Sequence, residues 1–103
     1  MSSAIADTIK SALETMERRN RSLNAFVKVS SADALAQAAR LDARARGERG
    51  LLHGKPIAVK DIIHVAGEIS GCGSLTRKGA GPETKDAFVV AKLREAGAVI
   101  AGR

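Results

Sequence analysis

Two short apolar segments in the second half of the chain constrain its fold more than any other feature. They lie at residues 56–59 and 98–101, and neither contains a polar side chain. Between them a helical pattern runs over residues 86–96 and ends at Gly97. Apolar strands joined through a helix are typical of a parallel sheet that is covered on both faces. The order of these segments therefore predicts an α/β fold.

The first half of the chain predicts two helices. Apolar residues recur at helical spacing over residues 3–19, and the polar tripeptide 20–22 interrupts this pattern. Residues 23–29 are β-prone, and we expect them to form an edge strand. A second, alanine-rich helix is expected over residues 32–46, with Gly47 at its end.

Residues 67–82 hold five glycines and predict a long loop, which we call the glycine-rich loop. A β-prone stretch at residues 62–65 precedes it. The run at 71–76 has threonine where a dinucleotide-binding fingerprint needs its last glycine, and no Walker A sequence is present. Two interpretations stay open: a mobile or partner-covered loop, or an active-site loop whose backbone lies close to a substrate.

The apolar side chains of this chain are unusually small. Of its 103 residues 45% are hydrophobic, but 19 are alanines, and Phe26 and Phe88 are the only aromatic residues. Small domains already bury a lower fraction of their surface than large ones. We therefore expect a part of a larger unit, or one half of an interface.

Charge argues against nucleic-acid and membrane partners. The net charge of +6 is spread evenly, with 9 basic and 6 acidic residues in 1–50 and 8 basic and 5 acidic residues in 51–103. No basic block stands out, few aromatic side chains could stack on bases, and charges interrupt every apolar run. A single cysteine cannot form an internal disulfide, which predicts a reducing compartment such as the cytoplasm.

Lys60 is the first candidate for chemistry, because it directly follows the apolar segment 56–59. Active sites of open α/β sheets lie at the carboxyl ends of the strands. A lysine there can pair with the adjacent Asp61 or extend into water, or it can be desolvated enough to lose its proton and act as a general base. Spacing alone favours the paired or solvated lysine.

Other reactive side chains give weaker signals. Cys72 lies between two glycines, but no histidine is placed to activate it as a nucleophile. His53 and His64 are the only histidines and lack a second cysteine or a carboxylate pair at ligand spacing. We therefore expect neither a metal nor a cofactor.

Several segments resemble one enzyme family, the amidase signature enzymes. Its L-x-G-x-P-x-A-V-K-D segment resembles residues 52–61, which read LHGKPIAVKD. Residues 73–74 (GS) and 86–102 (DAFVVAKLREAGAVIAG) are similar to the next stretch of the family, in the same order. Upstream, residues 23–26 (LNAF) and the helix that ends in Leu-Asp at 41–42 are also similar. The resemblance thus extends from about residue 20 to residue 103.

This resemblance implies a fold and a mechanism. The fold has helices packed on a mixed β-sheet, and a Ser–cis-Ser–Lys triad hydrolyses or transfers amide groups of a small-molecule substrate. Lys60 occupies the position of the triad lysine. In the family, the neutral lysine takes a proton from the cis serine, which activates the nucleophilic serine that attacks the amide carbon.

The triad serines themselves are expected outside this sequence, in a later Gly-Ser-Ser-Gly-Gly-like region. Adjacent serines occur here only at 2–3 and 30–31, at predicted helix starts. Arg103 falls where the family often has a lysine followed by Thr-Asn. We therefore interpret the chain as the N-terminal portion of an amidase domain, with a helical region at 1–50 and a strand–loop–helix–strand region at 51–103.

Three functional hypotheses follow from this interpretation. The leading one is a hydrolase of carbon–nitrogen bonds other than peptide bonds, of which this chain alone is inactive. The alternatives are the A subunit of glutamyl-tRNA amidotransferase and a non-catalytic truncated module that acts only by association. Sheet edges should be open, so the expected partner is the missing C-terminal portion of the same fold or a second copy of the chain.

Overall fold

The computed structural model describes residues 4–44 and 46–103. Three helices and two strands make up its regular structure, with two short 3₁₀ turns. In chain order these are α1 (Ala4–Leu23), α2 (Ser31–Asp42), the 3₁₀ turn Arg46–Glu48, β1 (Pro56–Ala58), the 3₁₀ turn Leu75–Arg77, α3 (Phe88–Glu95) and β2 (Val99–Gly102).

The two strands form a parallel pair, as the sequence predicts. The register pairs Ile57 with Ile100, and a shift after Ile57 then pairs Ala58 with Gly102. Val29 makes an antiparallel bridge to Gly102 on the opposite side of β2. The described part of the sheet is therefore mixed, with β2 in the middle and β1 paired along one edge only.

Helices cover both faces of β2, because successive side chains of a strand point to opposite faces. On one face, α1 and α2 build a buried group of small and branched side chains, which we call the α1–α2 cluster; its members are Ile9, Leu13, Ala34, Ala38, Leu41, Val99 and Ala101. On the other face a smaller group contains Val59, Val65, Val90 and Ile100, with Val90 supplied by α3. This layered arrangement confirms the α/β fold class.

A buried glutamine closes the second edge of β2. The Gln37 side chain accepts a hydrogen bond from the Ile100 backbone N–H at 2.8 Å and donates one to the Ile100 carbonyl at 2.8 Å. It also accepts one from Arg94 at 3.1 Å. This side chain thus replaces a neighbouring strand at Ile100, and it links α2 to β2 and α3.

The predicted break after residue 19 is wrong, since α1 continues to Leu23. Asn20 stays in the helix, accepts a hydrogen bond from the Phe26 N–H at 2.8 Å and donates one to the Phe26 carbonyl at 3.1 Å. The chain turns at Asn24, whose φ is 51°. A residue that interrupts the apolar pattern therefore ties the segment after α1 to the helix.

Three other predicted boundaries also need correction. α2 ends at Asp42, short of the predicted residue 46. The expected edge strand at 23–29 reduces to the single bridge at Val29. The β-prone residues 62–65 lie in turns and irregular backbone, where the Ile63 carbonyl accepts a hydrogen bond from the Arg103 side chain and not from a neighbouring strand. Val65 is nevertheless buried in the second apolar group.

Candidate active site

Lys60 lies just beyond the carboxyl end of β1, where the sequence places it. The Val59 N–H donates to the Gly102 carbonyl at 3.0 Å, which extends the ladder by one residue past the strand. The Ile63 N–H then donates to the Lys60 carbonyl at 3.0 Å and closes a turn. We call residues 60–63 the Lys60 turn. The Lys60 side chain itself is exposed.

A surface cleft of about 290 Å³ includes Lys60 in its lining. The other lining residues come from the segment after α1, from β1 and from the end of β2; they are Ala25, Phe26, Val27, Ala58, Val59, Asp61 and Arg103. Most of these side chains are apolar. Lys60, Asp61 and Arg103 are the charged side chains in this lining.

Asp61 forms a short ion pair with Arg103. The Arg103 Nε donates to Asp61 Oδ1 at 2.8 Å, and its Nη2 donates to the Ile63 carbonyl at 3.2 Å. The Arg103 side chain is 3% exposed and that of Asp61 is 15% exposed. The hydrogen bond from Arg103 is the largest influence on Asp61 and lowers the pKa of its carboxyl group, whereas partial burial acts in the opposite direction.

This ion pair decides between the two ordinary interpretations of Lys60. Asp61 is paired to Arg103, and within the described residues no ion pair of 4 Å or less involves Lys60. The hypothesis of a Lys60–Asp61 pair is therefore wrong. The other ordinary interpretation, a lysine that extends into water, agrees with the exposed side chain that the structure shows.

The glycine-rich loop is attached to the Lys60 turn. The Gly71 N–H donates to Asp61 Oδ1 at 3.2 Å, and the Cys72 N–H donates to the Asp61 carbonyl at 3.3 Å. A Cβ atom added at Gly71 would lie 2.6 Å from Asp61 Oδ2. A larger residue at this position would have to displace the Asp61 carboxylate or the loop backbone.

Arginine and glutamate side chains hold the rest of the loop in place. Arg77 Nε donates to the Ser70 carbonyl at 2.9 Å, and Arg77 also pairs with Glu83 at 3.3 Å. His64 Nδ1 lies 3.4 Å from the second Glu83 oxygen. These contacts show a folded segment that packs beside the candidate site.

The remaining reactive side chains lie outside the Lys60 cleft. Cys72 is exposed, and its thiol contacts the Ser70 carbonyl at 3.8 Å. His64 contacts Glu83. Neither ring nitrogen of the partly buried His53 has a hydrogen-bond partner in the part of the chain that the structure describes. Within residues 4–44 and 46–103, no three histidine, cysteine, aspartate or glutamate side chains are grouped to hold a metal ion.

Arg103 is the residue of this site whose structural role the sequence reasoning missed. A signal for it does exist: Arg103 follows β2 just as Lys60 follows β1. The carboxyl ends of neighbouring parallel strands meet at one edge of a sheet, so the charged residues that follow them were candidates for contact.

Comparison with known proteins identifies the family. The family model Amidase matches residues 7–103. The chain belongs to the amidase family. Its fold corresponds to the N-terminal portion of the amidase signature fold, which confirms the family resemblance of residues 52–61 and 86–102.

Similar proteins include both amidases and one component of an amidotransferase. The chain is 36% identical to the A subunit of the glutamyl-tRNA(Gln) amidotransferase of Syntrophobacter fumaroxidans, over 97% of this chain and 21% of that protein. It is 48% identical to AmiB2, a candidate amidase of Mycobacterium tuberculosis, over 88% of this chain and 20% of that protein.

A solved structure shows the same arrangement. The native peptide amidase of Stenotrophomonas maltophilia superimposes with a TM-score of 0.79 at 33% identity, over 96% of this chain and 21% of that one. The chain thus spans about a fifth of the length of the relatives that it matches. None of the described helices is long and apolar enough to cross a membrane.

Proposed function

We propose that this chain supplies the general base of an amidase that hydrolyses carbon–nitrogen bonds other than peptide bonds, and that Lys60 is this base. The observation that carries the proposal is the position of Lys60, at the carboxyl end of a parallel strand, on a cleft and without an ion-pair partner among residues 4–44 and 46–103. A lysine held in a salt bridge would keep its proton, whereas an unpaired amine can lose it when the cleft is covered.

The chemistry follows from the family resemblance. A neutral Lys60 amine would accept the proton of a serine hydroxyl, and that serine would in turn take the proton of the nucleophilic serine as it attacks the amide carbon. The ammonium formed on Lys60 would then return its proton toward the leaving amine. Both serines are expected outside residues 1–103, so the chain alone should not hydrolyse amides.

A chimera tests this role without requiring activity from the chain alone. This sequence would replace the matching N-terminal segment of the Stenotrophomonas maltophilia peptide amidase, and hydrolysis of the host's own amide substrate would be measured. Lys60→Met should lower kcat by about 10²–10⁴-fold, because this is the usual contribution of a general base. Circular dichroism and gel filtration would check that each chimera is folded.

The matched control is Lys55→Met, which removes another exposed lysine, just before β1. Its kcat should stay near that of the unsubstituted chimera, and the isolated 103-residue chain should show no hydrolysis above background. A folded Lys60→Met chimera with full activity would overturn the proposal. A folded unsubstituted chimera without activity would favour a non-catalytic module instead.

The amidotransferase component is the second candidate, because the similarity to it extends over 97% of this chain. The identity to the candidate amidase AmiB2 is 48%, against 36–41% for three amidotransferase A subunits, and this difference favours the hydrolase. An assay of the protein that the gene encodes, with and without other proteins, distinguishes these two candidates. A hydrolase releases ammonia from small amides without other proteins, whereas an amidotransferase component would pass ammonia on to glutamyl-tRNA only with its partners.

A further inference from the structure

Lys60 and Asp61 are adjacent residues of opposite charge in one turn. A carboxylate within about 4–6 Å of an ammonium favours the charged form of the amine, which is unsuited to accept a proton. The function proposed for Lys60 therefore requires that something keep the Asp61 carboxylate away from it. In the structure, the Asp61 carboxylate is hydrogen-bonded to another side chain.

Arg103 and the backbone of the glycine-rich loop donate hydrogen bonds to the Asp61 carboxylate. Asp61 Oδ1 accepts from Arg103 Nε at 2.8 Å and from the Gly71 N–H at 3.2 Å. Arg103 also donates to the Ile63 carbonyl at 3.2 Å, so one guanidinium fixes both Asp61 and the last residue of the Lys60 turn. The turn is thereby held from the end of β2.

Arg103 is itself held firmly in place. Its N–H donates to the Lys28 carbonyl at 3.0 Å, and its own carbonyl accepts from the Val27 and Lys28 N–H groups at 2.7 and 3.1 Å. Only 3% of its side chain is exposed. A buried guanidinium with a fixed backbone has little freedom to release its partner, so the Asp61 carboxylate stays paired with Arg103.

The charges around Lys60 are few. Asp61 and Arg103 are the other charged side chains in the lining of its cleft. A neighbouring cleft of about 470 Å³ shares Asp61 and Arg103 and adds Lys28 and Glu68, which pair with each other at 2.9 Å. In a polypeptide that ends at Arg103, the terminal carboxylate adds one more charge, so the test requires a longer polypeptide.

We propose that Arg103 is a positioning residue for Lys60, which orients the Lys60 turn and holds Asp61 so that this carboxylate does not pair with the lysine amine. The inference rests on the proposed function of Lys60 as the base. Arg103 contacts neither substrate nor the reacting atoms in this scheme. Arg103 acts on Lys60 indirectly, because it binds the carboxylate that would otherwise pair with the lysine amine.

The pH profile of the chimera tests this role. Arg103→Met would leave Asp61 free to pair with the Lys60 ammonium, so the acidic limb of the kcat profile should move to higher pH by about one unit. Arg103→Gln removes the charge and leaves only a weaker, neutral hydrogen-bond donor for Asp61, so it should move the limb in the same direction by a smaller amount and serves if Arg103→Met does not fold. Arg103→Lys retains the charge and should keep the limb near its original position.

The double variant Arg103→Met/Asp61→Asn separates this role from a merely structural one. Removing the released carboxylate should return the limb toward its original pH, whereas a simple loss of packing would lower kcat at every pH without such a return. Arg94→Met is the matched control, because Arg94 Nε pairs with Asp86 at 2.8 Å outside the Lys60 cleft. Its limb should not move.

The outcomes distinguish the two proposals. If Lys60→Met abolishes hydrolysis but neither neutral variant of Arg103 moves the limb, the positioning role is wrong and the function of Lys60 stands. If Lys60→Met retains full activity, the proposed function fails and the positioning role fails with it.

Discussion

The α1–α2 cluster and the Lys60 turn are held together by different forces. The cluster consists of buried apolar side chains on one face of β2. The turn and the glycine-rich loop are fixed by hydrogen bonds and ion pairs that centre on Asp61, Arg77 and Arg103. Apolar burial is not directional, whereas hydrogen bonds fix geometry. The cluster therefore supplies stability, and the polar contacts place the groups of the site.

The largest loss of stability is expected from a truncated side chain in the α1–α2 cluster. Ile9 is fully buried, so Ile9→Ala should lower the free energy of unfolding by about 2–5 kcal/mol, through lost burial and the cavity left behind. Urea denaturation followed by circular dichroism measures it. Leu51→Ala, at a residue that is 99% exposed, should change stability by less than about 0.5 kcal/mol. Equal losses for both variants would show that the cluster is not the core.

A smaller loss of stability is expected from a substitution at Gly71, where the glycine-rich loop contacts the Lys60 turn. Gly71→Ala would force a Cβ atom against the Asp61 carboxylate and should cost about 1–3 kcal/mol, since such overpacking must displace the carboxylate or the loop. The control is Gly81→Ala, because a Cβ atom at Gly81 meets nothing within 4 Å. Urea midpoints of both variants give the comparison, and a neutral Gly71→Ala would contradict the tight contact.

The smallest expected effect is a dependence on pH that belongs to the polar region alone. The pKa of Asp61 is lowered, chiefly by Arg103, below the value of about 3.9 of an unfolded chain. The ionised carboxylate therefore stabilises the fold above about pH 4, and this contribution disappears as the pH falls through the lower, folded-state pKa.

Asp61→Asn should thus be less stable than the unsubstituted chain at pH 7, and the difference should shrink between about pH 5 and pH 2. Urea midpoints over this range measure the difference. Gly81→Ala, which changes no ionisable group and has open space for its Cβ atom, should show no such trend. A difference for Asp61→Asn that is constant with pH would exclude the ionised pair as its source.

The sequence was sufficient to predict the elements that follow local patterns. Apolar runs and helical spacing gave the two parallel strands, the helix between them and the position of Lys60 at the end of β1. These features depend on the side chains of neighbouring residues. The family resemblance was carried by the same segments, and the comparison with known proteins confirms it.

Side-chain contacts that no local pattern predicts account for what was missed. Asp61 and Arg103 are 42 residues apart, and no spacing rule connects them. The β-prone residues near Ile63 do not form a strand. The Ile63 carbonyl accepts a hydrogen bond from the Arg103 side chain instead of from a neighbouring strand. Asn20 looked like a helix breaker, but its side chain binds Phe26 six residues later. In each case a polar side chain took a partner that only the folded chain provides.

The parallel pairing of β1 and β2 has a consequence for the order of folding. Their backbones can join only after the intervening loop and α3 have closed a long crossover, and contacts between such distant residues form slowly. The surroundings of Lys60 are therefore expected to mature late, after the local turns of the helices are in place. Until then neither Arg103 nor the glycine-rich loop holds the Lys60 turn, so the turn gains its fixed geometry only when the crossover has closed.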